Sequence, residues 1–261
     1  PALRSLPSLA AVSGLPHTQP SATQAPAPAP AGAPGPGPAA PVAALDARGL
    51  PPVAGPLEAA RFTVRAVPTP LGQTPGYALV GKTILVTADP YGVANQLVSR
   101  LRHAGAEPIL VSKKGAFAPA GAHHIDSFAP DVLRRAVETI HAATPLDGIV
   151  HLRTLAPTLP LAEIDDEAFA EAVDEATLGS LSLVQPVYDR WEAATPQTTF
   201  YVAVTNLGAC LGVADGSLAD PLAGAHTGFV KSLRRELPGT NARVIDIERL
   251  HPVAVIADTL F

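Results

Sequence analysis

Short apolar runs alternate with amphipathic helical patterns from residue 83 to the end of this chain. Most of the runs are continuous in apolar residues, as expected of parallel strands that are covered on both faces. The predicted strands are residues 83–87, 108–112, 123–127, 146–152, 199–205 and 242–247. The predicted helices are residues 94–104, 131–142, 165–191 with an interruption at Gly179, 223–237 and 253–261. This repeated order, with right-handed crossovers, predicts an α/β fold with a doubly wound parallel sheet.

The turn after the first predicted strand lacks most of the glycines of a dinucleotide-binding turn. Residues 81–94 read G-K-T-I-L-V-T-A-D-P-Y-G-V-A, where a working short-chain dehydrogenase/reductase carries T-G-x-x-x-G-x-G. Thr87 and Gly92 fit that pattern, whereas alanine occupies the other two glycine positions. Such glycines permit a tight turn and let the backbone approach the pyrophosphate. Because Asp89 would repel a phosphate and Pro90 removes an amide donor, the sequence predicts no nucleotide site here.

The composition excludes several classes of partner. The formal net charge is -5 with only four lysines, so no basic surface for nucleic acid is expected. Cys210 is the single cysteine, which rules out a disulfide framework and suits the cytoplasm. No apolar run reaches the roughly 18 residues of a membrane span, and the first residues lack a signal-peptide pattern. The absence of methionine and the opening P-A-L-R indicate a piece of a longer protein.

The chain divides near residue 55 into a linker and a folded part. Residues 20–41 consist of proline, alanine, glycine and a few small polar residues, without charge or aromatic side chains. Proline stiffens such a segment toward polyproline II, so we interpret residues 1–54 as a Pro/Ala-rich interdomain linker that is largely disordered. The alternative, a proline-rich ligand for another domain, lacks the basic or aromatic anchors that it would need. The folded part, residues 55–261, opens with a strand pattern at residues 61–67.

Several phrases of the folded part resemble one family of multidomain enzymes. These phrases are R-F-T-V-R-A-V-P at 61–68, the turn at 81–94, L-D-G-I-V-H-L at 146–152, and G-F-V-K-S-L-R-R-E-L-P at 228–238 followed by A-R-V-I-D-I at 242–247. In order and spacing they look like the N-terminal structural subdomain of a ketoreductase domain from polyketide and polyunsaturated-fatty-acid synthases. The resemblance covers roughly residues 52–261 and implies a truncated, degenerate Rossmann-like fold of the short-chain dehydrogenase/reductase type.

The resemblance implies that reductase chemistry belongs to a second, catalytic subdomain, which binds NADPH and carries a Lys, Ser, Tyr and Asn set. In this chain the matching places fall at Ala176, Thr205, Ala223 and Thr227. No Tyr-x-x-x-Lys occurs, and none of the four tyrosines follows Thr205. Proton donation to a developing alkoxide needs a hydroxyl of lowered pKa, which a methyl group cannot supply. The sequence therefore predicts no catalytic, cofactor-binding or metal-binding residue in this chain.

Four further patterns resemble sites, and each has a simpler structural interpretation. Lys113 and Lys114 follow the second strand, where a nucleotide 2′-phosphate could lie, but exposed lysines are common there. Residues 208–212, G-A-C-L-G, match a nucleophile elbow with Cys210, although the preceding strand ends too early. His123 and His124 are adjacent on a strand and would face opposite sides, which disfavours a shared metal. Four carboxylates are expected to cap a helix start: Glu163, Asp165, Asp166 and Glu167.

These observations predict a non-catalytic structural subdomain that holds the catalytic half of a ketoreductase in place. Its expected partners are the catalytic subdomain C-terminal to it and the acyl carrier protein of the same synthase, with no nucleic acid and no membrane. The parent enzyme would reduce carrier-bound β-ketoacyl groups with NADPH. Two alternatives remain open: an atypical self-sufficient short-chain-type oxidoreductase, and an independent interaction module with a decayed Rossmann fold.

Overall fold

The computed structural model describes residue 67 and residues 78–116, 121–155, 163–208, 222–248 and 251–261. All of them belong to one unit, Val64–Phe261. The predicted linker and almost all of the predicted strand at residues 61–67 lie outside the described residues. Cys210 and the side chain of Ala176 lie outside them too.

Six parallel strands form one sheet within the described residues. The strands are β1 Thr83–Thr87, β2 Glu107–Lys113, β3 His123–Ile125, β4 Gly148–His151, β5 Phe200–Thr205 and β6 Asn241–Asp246. Their order across the sheet is β3-β2-β1-β4-β5-β6, and every neighbouring pair is parallel. The chain changes direction across the sheet between β1 and β4, which is the switch point of a doubly wound fold. The predicted Rossmann-like architecture is confirmed.

Helices cover both faces of the sheet. They are α1 Val93–His103, α2 Pro130–Ala143, α3 Asp166–Val173, α4 Gly179–Val184, α5 Tyr188–Glu192, α6 Ala223–Glu236 and α7 Val253–Leu260. Phe200 joins a core cluster with residues of α1 and α7, whereas its neighbour Tyr201 contacts Phe229 of α6. Adjacent strand residues point to opposite faces, so α6 lies on the face opposite α1 and α7. No helix among the described residues has the length and apolar character needed to cross a membrane.

The predicted helix at residues 165–191 is a series of shorter segments. After α3 the backbone forms a π-helical turn over Asp174–Leu178, and α4 begins at Gly179, where the sequence predicts the interruption. A 3-10 turn over Gln185–Val187 then separates α4 from α5. Proline has no amide hydrogen to donate within a helix, which explains the second break at Pro186. π-Helical turns are frequent at functional sites, and this one carries the carboxylates of Asp174 and Glu175.

The start of β4 shows why one glycine of the sheet cannot be replaced. Gly148 pairs with Phe200 in the register of β4 and β5. A Cβ atom on Gly148 would lie 2.2 Å from the Phe200 ring, far inside van der Waals contact. The glycine therefore gives the ring its place in the core between the sheet, α1 and α7.

Candidate functional site

The carboxylate of Asp89 lies over the amino end of α1, directly after β1. Its Oδ2 atom accepts hydrogen bonds from the backbone N–H groups of Tyr91 (2.8 Å) and Val93 (3.2 Å). Its Oδ1 atom accepts a third from the N–H of Ala94 at 2.7 Å. The turn is completed by Gly92, whose φ of 87° lies in the left-handed region that favours glycine. One side chain thus satisfies three amides at the helix start.

These amides form the anion-binding position of the fold. The first N–H groups of a helix have no intrahelical partner and carry partial positive charge, so they attract phosphates in dinucleotide-binding proteins. Here Asp89 supplies the negative charge from the chain itself. The sequence predicts only that Asp89 repels a phosphate, and the hydrogen bonds add that its carboxylate already uses the donors.

Threonines satisfy further backbone groups at the carboxyl ends of the strands. The Oγ1 atom of Thr87 accepts hydrogen bonds from the N–H groups of Leu152 and Arg153, both at 2.9 Å. The hydroxyl of Thr154 donates toward the carbonyl oxygens of His151 (2.7 Å) and Val204 (2.5 Å). Ligands of doubly wound folds bind at this edge of the sheet. In this chain the hydroxyls of Thr87 and Thr154 are bonded to backbone groups there.

Three of the positions that the resemblance assigns to the catalytic set lie in the described part of the chain. Thr205 is buried, and its hydroxyl donates to Oδ1 of Asp246 at 2.8 Å. Ala223 begins α6 and is buried beneath it. The Thr227 hydroxyl is buried without a hydrogen-bond partner among the described residues. Under the resemblance, Thr205 stands at the serine position, Ala223 at the tyrosine position and Thr227 at the asparagine position. A methyl group therefore replaces the phenol that would donate the proton.

A cavity of about 540 Å³ opens beside the switch point of the sheet. Its walls come from the ends of β1 and β2, the start of α2, and the segment from α3 through the π-helical turn. The charged side chains that line it are Asp89, Lys113, Arg153, Glu171, Asp174 and Glu175. Carboxylates outnumber cations four to two, so the electrostatic environment favours no polyanionic ligand.

Arg153 is held across this cavity by two neighbours. Its guanidinium forms an ion pair with Glu175 at 2.8 Å and lies over the Phe128 ring, 5.4 Å from the centroid. The buried Nε atom has no hydrogen-bond partner among the described residues.

Lys114 pairs with Asp126 at 2.6 Å and is exposed, which agrees with its interpretation as a surface residue.

A buried polar cluster that the sequence analysis misses joins the sheet to two helices. The Nδ1 atom of His151 lies 3.0 Å from the Tyr201 hydroxyl and 3.4 Å from the Ser180 hydroxyl. The Ser180 hydroxyl also lies 3.0 Å from Nδ1 of His226. Burial, with smaller contributions from His226 and Arg153, holds the pKa of His151 well below its usual value. Burial raises the pKa of Tyr201, so its hydroxyl stays protonated.

This cluster carries little signal in the sequence. Its four members lie in four elements that are far apart along the chain. Each one stands among apolar residues of an ordinary strand or helix pattern, and only the packed fold brings them within hydrogen-bond distance. The hint available is that polar residues stand among the buried positions of two helices: Ser180, like Ser182, on α4 and His226 on α6.

The remaining sequence candidates have structural roles or lie apart. Asp165 caps α3, since its Oδ1 accepts a hydrogen bond from the N–H of Ala168 at 2.8 Å. His123 and His124 are neighbours on β3, the first half-buried and the second exposed. No group of three or more metal-ligating side chains occurs in the part of the chain that the structure describes. The proposed elbow around Cys210 lies outside that part.

Solved structures with the same fold are short-chain dehydrogenases and reductases. One is an oxidoreductase of the short-chain dehydrogenase/reductase family from Brucella ovis, in complex with partially ordered NAD, at 17% identity and a TM-score of 0.55, covering 69% of this chain and 91% of that one. Another is a short-chain dehydrogenase from Shigella flexneri complexed with NADP, at 17% identity and a TM-score of 0.51, covering 66% and 79%.

Aldohexose dehydrogenase from Thermoplasma acidophilum is similar at 15% identity and a TM-score of 0.52, covering 65% of this chain and 67% of that one. Such low identities show that this chain shares the Rossmann-like α/β fold of these enzymes, and nothing finer. No protein-family model and no curated protein matches the chain.

Proposed function

We propose that this chain is a non-catalytic subdomain of the short-chain dehydrogenase/reductase fold, which supports the catalytic half of a ketoreductase. The observation that carries the proposal is the Asp89 carboxylate on three amides of the anion-binding position. A dinucleotide pyrophosphate would have to displace this carboxylate and then lie beside it. Like charges at such a distance repel by several kcal/mol unless solvent screens them. The residues of this turn do not fit the cofactor.

The arrangement around Thr205 supports the same proposal. Reduction of a ketone needs a proton donor beside the substrate oxygen. The Thr205 hydroxyl already donates to Asp246, and Tyr201, the tyrosine of the same strand, is fully buried with a raised pKa. Neither group offers an acidic proton to a ligand at the edge of the sheet.

The role that we propose is to pack against a catalytic subdomain that follows in the parent synthase. An apolar groove of about 520 Å³ supports it, because such a groove favours burial against another protein surface. Its exposed rim includes Val80 and Phe261, and its floor includes Leu97, Leu101 and Phe200. The parent would use NADPH in its catalytic half to reduce β-ketoacyl groups that are presented by an acyl carrier protein.

A second candidate function is oxidoreduction by this chain itself. The cavity of about 540 Å³ at the switch point favours it, since it lies where this fold places small ligands. Calorimetric titration of the chain with NADPH distinguishes the two. Our proposal expects a Kd weaker than about 1 mM, a binding free energy no better than about −4 kcal/mol. Micromolar binding would support the second candidate instead.

A matched experiment concerns the groove. The chain alone should bind a hydrophobic dye, and addition of the separately produced catalytic subdomain should suppress the dye fluorescence. Val80→Ser should lower dye binding, whereas Val255→Ser, on the exposed side of α7 and outside the groove, should leave it unchanged. Equal effects of the two substitutions would contradict the assignment of the groove as the contact surface.

A further inference from the structure

The buried cluster of His151, Ser180, Tyr201 and His226 has no part in the proposed function. It lies on the face of the sheet that carries α6, with all four residues at most 5% exposed. Two imidazoles share one serine hydroxyl, and their ring centroids are 5.6 Å apart. Buried polar networks are stable only while each member keeps its hydrogen bonds. This network therefore ties the position of α6 to the protonation state of His151.

The first half of α6 depends on this tie more than its second half does. Before Phe229 the buried residues are Ala223, which is small, and His226, which is polar, whereas the second half buries the larger apolar side chains of Val230 and Leu233. Gly224 and Gly228 also lie in the first half, with open space where a Cβ would be. Each glycine costs about 1 kcal/mol relative to alanine in a helix. This half is an intrinsically weak helix, and the contact between His226 and Ser180 holds it on α4.

Burial and two neighbouring basic groups, His226 and Arg153, oppose a proton on the His151 ring. From β5 it faces the Tyr201 hydroxyl, from α4 the Ser180 hydroxyl, and from α6 the His226 ring. The charged group that acts on it from the turn after β4 is the Arg153 guanidinium. A cation at His151 would lie in a desolvated site beside another imidazole and within the field of an arginine. Release of α6 into solvent would remove this penalty.

We propose that the four side chains form an acid-sensitive latch, which releases the first half of α6 from the sheet when the pH falls below about 6.5, the ordinary range of histidine. The inference does not depend on the proposed function. The histidine is neutral in the closed state and titrates normally in the open state, so the open state binds more protons in acid. Stability of the closed state is therefore full above that range and decreases as the pH falls through it.

Amide hydrogen exchange of the full chain tests the latch. For one histidine, linkage predicts that the open population of the first half of α6, read from the helix-bonded amides of residues 226–229, rises about 30-fold between pH 7.5 and pH 5.0, after correction for intrinsic exchange. The amides of α1 serve as the internal reference and should change far less. His151→Asn keeps a hydrogen-bonding group near the position of Nδ1 and removes the titration, so it should flatten the response. The matched control, His103→Asn on the exposed side of α1, should keep it.

Equal loss of protection in α1 and α6 would overturn the latch, and so would an unchanged response in His151→Asn. If that variant fails to fold, nuclear magnetic resonance of the wild-type histidines decides the matter. The latch requires that the His151 ring stay neutral in the closed state at pH 5.0. A His151 resonance that titrates near pH 6.5, with α6 still protected, would overturn it.

Discussion

The structure makes Asp89 a stabilising residue, and its replacement by alanine tests that role. Asp89→Ala removes the acceptor of three backbone N–H groups at the start of α1. The N-cap of α1 is Gly92, and Asp89 supplies the side-chain acceptor that an N-cap residue usually provides. Loss of such an acceptor typically costs about 1 kcal/mol, within a range of about 0.5–2 kcal/mol. The lost interaction of a negative charge with the helix amino end adds about 0.3–1 kcal/mol. We therefore expect a total destabilisation of about 1–2 kcal/mol.

Thermal unfolding measured by circular dichroism gives the result directly. For a domain of this size, about 1 kcal/mol lowers Tm by roughly 2–4 °C, so Asp89→Ala should lower it by about 2–8 °C. Asp89→Asn keeps an oxygen acceptor without the charge and should lose about half as much. Asp126→Ala is the matched control, because this exposed carboxylate makes only a surface pair with Lys114. If Asp89→Ala and Asp126→Ala had the same Tm, the capping role would be refuted.

Three further predictions concern packing and the linker. Gly148→Ala should abolish folding or lower the yield of folded protein severely, because its Cβ would lie 2.2 Å from the Phe200 ring. Gly228→Ala places its Cβ in open space and should stabilise α6 by about 1 kcal/mol, measured by urea unfolding. Leu233→Ala should lower the free energy of unfolding by about 2–5 kcal/mol in the same assay, because Leu233 is buried. Phe229→Ala should lower it by about 2 kcal/mol, because Phe229 is only half-buried. A larger loss for Phe229→Ala than for Leu233→Ala would contradict the packing of α6. Deletion of residues 20–41 should leave Tm unchanged, and a lower Tm would refute their interpretation as a spacer.

The outcome for Phe229 shows how far a helical pattern predicts burial. The phrase G-F-V-K-S-L places Phe229, Val230 and Leu233 on one apolar side, and the sequence predicts that all three pack on the sheet. Val230 and Leu233 are buried, but Phe229 lies at the border of the buried stripe and reaches Tyr201 with its ring edge, the centroids 5.7 Å apart. The buried stripe of α6 is centred on His226 and Val230. Because His226 is polar, the apolar pattern alone does not select it.

The sequence by itself determined the order of strands and helices, because continuous apolar runs and three-to-four-residue periodicity are local properties of the chain. It also determined that the turn at residues 87–94 lacks two of the three usual glycines, since residue types are read directly from the chain. The structure decided what fills that turn. The three hydrogen bonds of Asp89 depend on how the backbone bends at Gly92. Only the packed sheet brings His151, Ser180 and His226 together, because contacts between residues that are distant in sequence depend on how strands and helices pack and leave no periodic signal.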